Sequence, residues 1–301
     1  MGKTKIFQQY IWLVTTINKA GKISFKELNQ RWMRSQSLSD GVEMHRNTFN
    51  RHKEAIQEIF DINIECDKKD GFKYYIENPE ALREDSISNW MLSSITVHTA
   101  VQESVTLQKR ILLEDIPSGQ EFLQPILEAM KANRCISFTY QKYSDCEIKS
   151  HPHAEPYCLK LYKQRWYLLV KTEEKFRIFS LDRIKSLTLL EETFQLVPDF
   201  DAETHFRDWY GVYRTDHDHP QKVVLRAFGT ERFYLRDLPL HHSQKEIATY
   251  AEYSDFTYYL CPTDDFIGEI LRKSYRLKVL EPQTLKDKIC EILDKMKGNY
   301  Q

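Results

Sequence analysis

The sequence has 301 residues, 41% of them hydrophobic and 29% charged, a composition typical of a globular protein with room for two or three domains. A net charge of −1 excludes a protein that coats nucleic acid or membranes through its overall charge, so any nucleic-acid contact must come from a local basic patch. No apolar run reaches the about eighteen residues of a transmembrane helix, and the polar N-terminal helix is not expected to act as a signal peptide.

The first segment, residues 1–80, has the element order of a winged helix-turn-helix, three helices followed by a β-hairpin. Apolar residues at helical spacing predict the first helix. Ser24 and Glu27 have the spacing of a capping box, which predicts the start of the second. A third helix is predicted over 45–60, and alternating apolar residues on either side of Asp70-Gly71 predict the hairpin.

The third helix has a core face and a polar face. Phe49, Ile56 and Phe60 fall on the core side, and His52 lies near them as a packing residue. The polar face carries amides and cations in its first half and glutamates in its second, so only its N-terminal end suits the major groove of DNA. A solvated helix of mixed charge is the alternative. The predicted DNA-binding residues, including lysines at the hairpin tip, are Arg46, Asn47, Thr48, Asn50, Arg51, Lys68 and Lys69.

Beyond this segment the sequence predicts a helical linker and two further domains. Residues 81–120 carry no β pattern, and one or two spacer helices with a loop are expected there. Residues 121–212 begin with a helix and continue as closely spaced, aromatic-rich strands, typical of a small, strongly bent sheet or barrel. Residues 213–301 show the order β-α-β-β-α-β-α, which predicts a ferredoxin-like α/β sandwich. The expected fold is therefore a multidomain α+β protein.

Two arginines stand in an aromatic hairpin of the barrel segment. Strand alternation places Arg177 on one sheet face with aromatic neighbours, where a guanidinium can stack on a ring or clamp an anion. Arg183 would point to the same side if the strand continued without a bend. For Arg183, a structural ion pair with Asp182 or a neighbour at the strand end is the alternative.

Catalytic and metal-binding motifs are absent from the sequence. His151-Pro152-His153 and Asp216-His217-Asp218-His219 lack partners at ligand spacing, so both are predicted to be loop histidines. The acidic residues of 199–203 are too loosely placed to indicate a nuclease. The six cysteines are scattered without a C-x-x-C pair, which predicts reduced thiols and a cytoplasmic location. No catalysis, metal or cofactor is expected.

Trp166-Tyr167-Leu168, followed by F-R-I-F and L-D-R-I, resembles the WYL domain, which is named for that tripeptide. The first segment is similar to the winged helix that precedes this domain in a family of bacterial transcriptional regulators. The last segment resembles the C-terminal extension of the same family, with V-L-E-P before a final helix. Ser274-Tyr275 stands where many relatives carry a glycine, so the bend there is expected to be built differently.

The resemblance implies a ligand-sensing domain with an Sm-like barrel and a basic, aromatic pocket for a nucleotide or oligonucleotide-type ligand. By position, Arg177 and Arg183 would contact the anion, and Tyr167 would form a wall and donate a hydrogen bond. Tyr140 would be a further wall residue and His153 an additional candidate. The resemblance also implies a homodimer, with the C-terminal extension as the dimerisation domain, which suits a palindromic double-stranded operator.

These features favour a ligand-responsive, DNA-binding transcriptional regulator, with repression as the expected direction of control. The alternative is an accessory protein that grips single-stranded nucleic acid or modulates an effector enzyme. A nuclease is a third option that lacks a recognisable site. Sequence-specific binding to duplex DNA separates the first function from the second.

Overall fold

The structure, a computed structural model, describes residues 3–83, 86–103, 119–142, 147–173, 175–213, 215 and 219–301. The chain divides into two compact units, Met1–Glu114 and Asp115–Gln301. None of the described helices combines the length and the apolar character needed to cross a membrane.

The first unit combines helices with a small antiparallel sheet. Its helices are α1 (Lys3–Ala20), α2 (Phe25–Arg34), α3 (Gln36–Ser39), α4 (Arg46–Phe60) and α5 (Ile87–Glu103). Its strands, in the sheet order β1-β3-β2, are β1 (Ile23–Ser24), β2 (Ile64–Asp67) and β3 (Lys73–Ile76). The three predicted helices and the hairpin strands are present. The elements α3 and β1 were not predicted, because each is too short to show a period.

The start of α2 is fixed by the predicted capping box, which is confirmed. The Ser24 hydroxyl accepts a hydrogen bond from the Glu27 backbone N–H at 3.3 Å, and the Glu27 carboxylate accepts one from the Ser24 N–H at 3.0 Å. Two of the N–H groups that a helix start leaves open are thereby satisfied.

A buried asparagine joins α2 to the segment that leads into α4. The Asn29 side chain donates to the Met44 carbonyl at 3.0 Å and accepts from the Met44 N–H at 2.9 Å. Nearby, the Trp32 indole N–H donates to the Val42 carbonyl at 2.9 Å. These bonds satisfy backbone groups that would otherwise be buried without partners, and they fix the direction in which α4 begins.

The core of the first unit forms around α4. As predicted, this helix buries Phe49, Ile56 and Phe60. The Phe49 ring packs edge-on against Tyr74 of β3, with 4.7 Å between ring centroids. Helix α5 lies within the stretch predicted as a linker and packs against this core, in part through Leu92. The remainder of that stretch, 104–118, lies outside the described residues.

The second unit begins with a helix and a five-stranded antiparallel sheet. After the helix α6 (Leu123–Lys131), the strands, in the sheet order β7-β6-β5-β4-β8, are β4 (Arg134–Gln141), β5 (Ile148–Tyr162), β6 (Arg165–Thr172), β7 (Lys175–Ser180) and β8 (Ile184–Thr193). Strand β5 pairs with β4 through residues 148–154 and with β6 through residues 155–162. One long strand thus joins two halves of the sheet. Closure into an Sm-like barrel stays a prediction.

The strand that contains Arg177 does not continue to Arg183. Strand β7 ends at Ser180, and Leu181–Arg183 form a 3-10 turn before β8. The expectation of an unbent strand is therefore wrong at this point. The turn is required because Leu181 is buried in the core beneath the sheet.

The last part of the chain is a second sheet covered by helices. Its elements follow the predicted order and are β9 (Gln221–Phe228), α8 (Glu231–Asp237), β10 (Lys245–Thr249), β11 (Tyr253–Leu260), α9 (Asp264–Arg272), β12 (Leu277–Glu281) and α10 (Gln283–Gly298). The strands pair antiparallel in the order β10-β11-β9-β12. That this part of the chain has a ferredoxin-like fold stays a prediction. The domain boundaries drawn from the sequence also stay predictions.

Two short stretches complete the connections. The helix α7 (Ala202–Phe206) follows the sheet of the WYL-like segment, and the Asp201 carboxylate caps it by accepting from the Thr204 N–H at 2.7 Å. One of the acidic residues of 199–203 thus has a structural role. Before β12, Ser274 adopts a positive φ of 58°, a backbone conformation that favours glycine.

Replacement of Asn29 by alanine is expected to lower the free energy of unfolding by about 2 kcal/mol, because it leaves both backbone groups of Met44 without their buried partner. Urea denaturation of the full chain, followed by circular dichroism, measures the change. The control is Asn50→Ala on the exposed face of α4, which should stay within about 0.5 kcal/mol of wild type. Equal losses for the two variants would contradict this role of Asn29.

Candidate anion-binding pocket

Strand β6 and the end of β7 pack against two apolar clusters, whereas Lys175, Phe176 and Arg177 at the start of β7 are exposed. Leu168 packs with Phe179 in one apolar cluster, whereas Leu169 packs in another with Ile178. The strand register places Arg177 opposite Val170, two residues from Phe179 and therefore on the same side of the strand. Arg177 and Phe179 consequently line one cavity beside the hairpin.

This cavity has a volume of about 560 Å³ and is cationic and aromatic. Its lining residues are Tyr140, Lys142, Lys149, His151, Arg177, Ile178, Phe179, Arg183 and Tyr213. Of the predicted ligand-binding residues, Tyr140, Arg177 and Arg183 are thus brought together. They come from three separate elements, namely β4, β7 and the turn before β8.

The floor of the cavity is a cluster of aromatic rings. Phe179 contacts Phe138, Tyr140 and His151 edge-on, with centroid distances of 5.0, 4.9 and 4.7 Å. The His151 ring is stacked on Phe138 at 4.8 Å. Burial raises the pKa of Tyr140, so its hydroxyl stays protonated and can donate a hydrogen bond. Such a floor can stack a planar base and orient it through the hydroxyl.

The cations stand around this floor. Arg177 lies near Glu173, with 3.9 Å between guanidinium and carboxylate, and about half of its side chain is exposed. The Arg183 guanidinium donates to the Tyr213 hydroxyl at 3.3 Å. With Lys142 and Lys149 they make this pocket a strong attractor for anions, since four positive charges face one volume.

The alternative for Arg183, an ion pair with Asp182 or a neighbour, stays open. The Asp182 carboxylate accepts a hydrogen bond from the Ser180 hydroxyl and lies 3.7 Å from the guanidinium of Arg165. Arg183 lines the cavity and bonds Tyr213. The placement of its side chain therefore suits ligand binding.

Tyr167 and His153 do not line this cavity. Tyr167 is buried, and its burial raises its pKa to about 12. His153 forms an ion pair with Glu192 at 2.5 Å and lines a neighbouring cavity of about 430 Å³. The two cavities share Lys149, His151 and Arg177 as a common wall.

The sequence analysis missed Lys142, Lys149, His151 and Tyr213. The prediction that His151-Pro152-His153 is a loop is wrong, because these residues belong to β5. In a strand, residues two apart share a face, so Lys149 and His151 point to one side. A strand predicted to begin at Ile148 would have placed Lys149 and His151 on one face from the sequence alone.

Tyr213 reaches the pocket from a distant part of the sequence. Its N–H and that of Val212 donate to one carboxylate oxygen of Asp265, at 3.2 and 2.9 Å. The Lys160 ammonium donates to the Gly211 carbonyl at 2.7 Å, and burial lowers the pKa of Lys160 to about 8. Gly211 has a φ of +81°, and a β-carbon there would collide with Asp265. Residues 211–213 are therefore held between β5 and the start of α9.

In the first unit, most of the predicted DNA-binding residues are exposed. Thr48 is half-buried, and His52 packs on Tyr10, with 5.1 Å between ring centroids. The Arg46 guanidinium lies 4.8 Å from the centre of the Phe25 ring. The exposed members of the predicted set are Arg46, Asn47, Asn50, Arg51, Lys68 and Lys69.

Comparison with known proteins identifies one domain. Residues 121–189 match the family model of the WYL domain. The chain is similar to the structure of proteasome accessory factor B/C (PafBC) of Arthrobacter aurescens, with 18% identity and a TM-score of 0.37. That similarity covers 96% of this chain but only 46% of the other, so this chain spans about half the length of PafBC. A CRISPR Cas-related protein is similar with 10% identity and a TM-score of 0.39, covering 99% of this chain and 85% of the other. A search of curated proteins gives no match.

The match shows that this chain contains a WYL domain, and the resemblance seen at Trp166-Tyr167-Leu168 is confirmed for 121–189. The cationic cavity is built largely from that domain, which supplies Tyr140, Arg177 and Arg183. Tyr213 lies beyond the matched residues.

Asp265→Ala should destabilise the second unit by about 1.5–3 kcal/mol, because two backbone N–H groups lose a charged acceptor. Asp264→Ala is the matched control in the same helical turn. Its carboxylate is exposed and, among the described residues, pairs with Lys288 alone, so a loss below about 1 kcal/mol is expected. Thermal unfolding of both variants measures the difference. A loss no larger for Asp265→Ala than for Asp264→Ala would show that the carboxylate does not hold residues 211–213.

Proposed function

We propose that this protein is a ligand-responsive, DNA-binding transcriptional regulator whose WYL domain binds an anionic, nucleotide-type ligand. The observation that carries the proposal is the gathering of four cations around an aromatic floor in one cavity. Such a cavity offers charge to phosphate groups and ring faces to bases. Repression is the proposed direction of control.

The ligand class follows from the chemistry of the lining. Arg177 and Arg183 present guanidinium groups, which bind phosphate oxygens in pairs. Phe179 and His151 present ring faces or edges, and Tyr140 presents a hydroxyl that stays protonated. A nucleotide or short oligonucleotide uses all three kinds of contact. A simple inorganic anion would use only the first.

The DNA-binding proposal is supported by the charge distribution along α4. Asn47, Asn50 and Arg51 are exposed in its first half, whereas Glu54 and Glu58 are exposed in its second. A helix that enters the major groove by its N-terminal end brings the amides and the arginine to base edges and keeps the glutamates away from phosphates. Lys68 and Lys69 lie at the turn of the β2–β3 hairpin and would contact the phosphate backbone of the DNA.

Several further features belong to the same proposal. A homodimer that uses the C-terminal extension would present two α4 helices to a palindromic operator. The protein would act in the cytoplasm, where DNA and nucleotide ligands occur together. We propose no catalytic activity; among the described residues, no group of three or more His, Cys, Asp or Glu is placed to hold a metal ion.

Regulation requires that the ligand prefer one arrangement of the protein. A ligand that bound the DNA-bound and the free arrangement equally well would leave operator affinity unchanged. The alternative function, an accessory protein that grips single strands, would need only the cationic cavity. It predicts no sequence preference for duplex DNA.

Selection of duplexes from a random library, followed by a salt titration on the enriched sequence, is expected to give a palindromic site. Asn47→Ala/Arg51→Ala should weaken binding to it by about 2 kcal/mol or more, because contacts to base edges are lost. Arg177→Ala/Arg183→Ala should retain operator binding. Gln57→Ala, on the exposed second half of α4, is the control for surface changes and should bind as wild type does.

The alternative function makes the opposite forecast for the same variants. If no duplex sequence is enriched, and single strands are held only while Arg177 and Arg183 are present, the regulator proposal fails. The accessory-protein function then takes its place.

A further inference from the structure

His151 occupies the wall between the two cavities of the second unit. It lies on β5 and contributes to the lining of both, together with Lys149 and Arg177. Its ring is fixed between Phe138, on which it stacks with an interplanar angle of 23°, and Phe179, which meets it edge-on. Packing on two faces holds the imidazole in one orientation.

The described residues make no hydrogen bond to the ring nitrogens of His151. His153, two residues along the same strand, differs in this respect because its ring pairs with Glu192. His151 therefore keeps its hydrogen-bonding capacity for whatever enters the cavity.

The surroundings of His151 are dominated by positive charge. Lys149 comes from its own strand, Lys142 from the end of β4, Arg177 from β7, and Arg183 from the turn before β8. Burial is the main cause that lowers the pKa of His151, and Arg177 and Lys142 lower it further.

Groups that could favour a positive charge on His151 are few. Among the described residues, Glu173, in the β6–β7 turn, is the negative group that acts on the ring, and it has the smallest effect among the causes. Burial raises the pKa of Tyr140, so its hydroxyl carries no charge at neutral pH. The His153 ring nitrogen lies 2.5 Å from a carboxylate oxygen of Glu192. Without ligand, the imidazole is neutral at pH 7.

We propose that His151 is a contact for the anionic ligand and takes up a proton when that ligand binds, so that ligand affinity rises as the pH falls. This inference rests on the proposed function, since it requires an anion in the cavity. It adds a second property to the pocket, a binding strength that depends on pH.

The direction of the pH dependence follows from the linkage between ligand binding and protonation of His151. A bound phosphate offsets the charges of Arg177 and Lys142 and stabilises an imidazolium, so the pKa of His151 is higher in the complex than in the free protein. Affinity begins to increase as the pH falls through the pKa of the complex. The increase is complete below the pKa of the free protein, which lies under the usual value of about 6.5. Each unit between the two values gives about a tenfold change in the dissociation constant.

Oligothymidylate of four residues, labelled with a pH-insensitive dye and lacking a terminal phosphate, is a suitable probe. Its phosphodiesters keep their charge between about pH 5.5 and about pH 8, so changes in affinity report on the protein. Fluorescence anisotropy of the full chain measures the dissociation constant. We expect binding about tenfold tighter at the lower pH for wild type.

His151→Phe keeps the stacked ring but cannot be protonated, so the affinity of this variant for the probe should not change with pH. His151→Gln serves as a second variant should the first fail to fold. His153→Gln is the matched control in the same strand, and it should retain the full pH dependence. Calorimetry of wild type in two buffers with different ionisation heats should show proton uptake and needs no variant.

The outcomes separate this inference from the proposed function. If the probe binds with the same pH dependence in wild type and His151→Phe, or without any, the role of His151 is refuted while the anion pocket stands. If the probe does not bind at any pH, the proposed ligand class fails and this inference fails with it. If the pH dependence is lost in His153→Gln but retained in His151→Phe, the proton is taken up at His153 and the role proposed for His151 is refuted.

Discussion

The gathering of four cationic side chains, Lys142, Lys149, Arg177 and Arg183, at one cavity is the constraint that the core of the second unit has to meet. Like charges that share one volume destabilise the compact state, and the effect grows where the surroundings are apolar. The rings of Phe138 and Phe179 nevertheless bring such charges together, because they anchor the strands that carry them in a well-packed core. The folded protein therefore has a positive electrostatic potential at the cavity, and a bound anion would reduce it.

The pocket is also joined to the C-terminal sheet by short, direct contacts. Tyr213 faces Arg183 on one side, and its backbone is held by Asp265 at the first turn of α9 on the other. Lys160 ties the preceding Gly211 to β5. An anion that draws Arg183 away from the Tyr213 hydroxyl would act on residues 211–213, which are held by Lys160 and Asp265. Under the proposed function, occupancy of the cavity would reach the last sheet through these contacts.

The extent to which the sequence predicted this structure depends on how local each signal is. The capping box of Ser24 and Glu27 and the buried face of α4 are set by neighbours within one helix, and both are confirmed. The hairpin arginines were found because Arg177 alternates with aromatic residues. Arg183 was found through an unbent strand that does not exist, since Leu181 turns into the core.

What the sequence could not predict depends on distant partners. Tyr213 reaches the pocket only because Asp265, more than fifty residues later, fixes its backbone. His151 was assigned to a loop because His151-Pro152-His153 has no partners at metal-ligand spacing, whereas β5 runs through all three residues. The bend that lets β5 serve two halves of the sheet comes from pairing with β4 and β6, which no single stretch of sequence records.

Arginine protection tests most directly where an anion binds. The full chain would be treated with phenylglyoxal, with and without oligothymidylate, and the modified arginines would be identified by mass spectrometry. We expect the oligonucleotide to protect Arg177 and Arg183 and to leave the exposed Arg31 and Arg34 of α2 as reactive as before. Protection at α2, or equal reactivity of Arg177 and Arg183 in both samples, would contradict an anion site in the WYL domain.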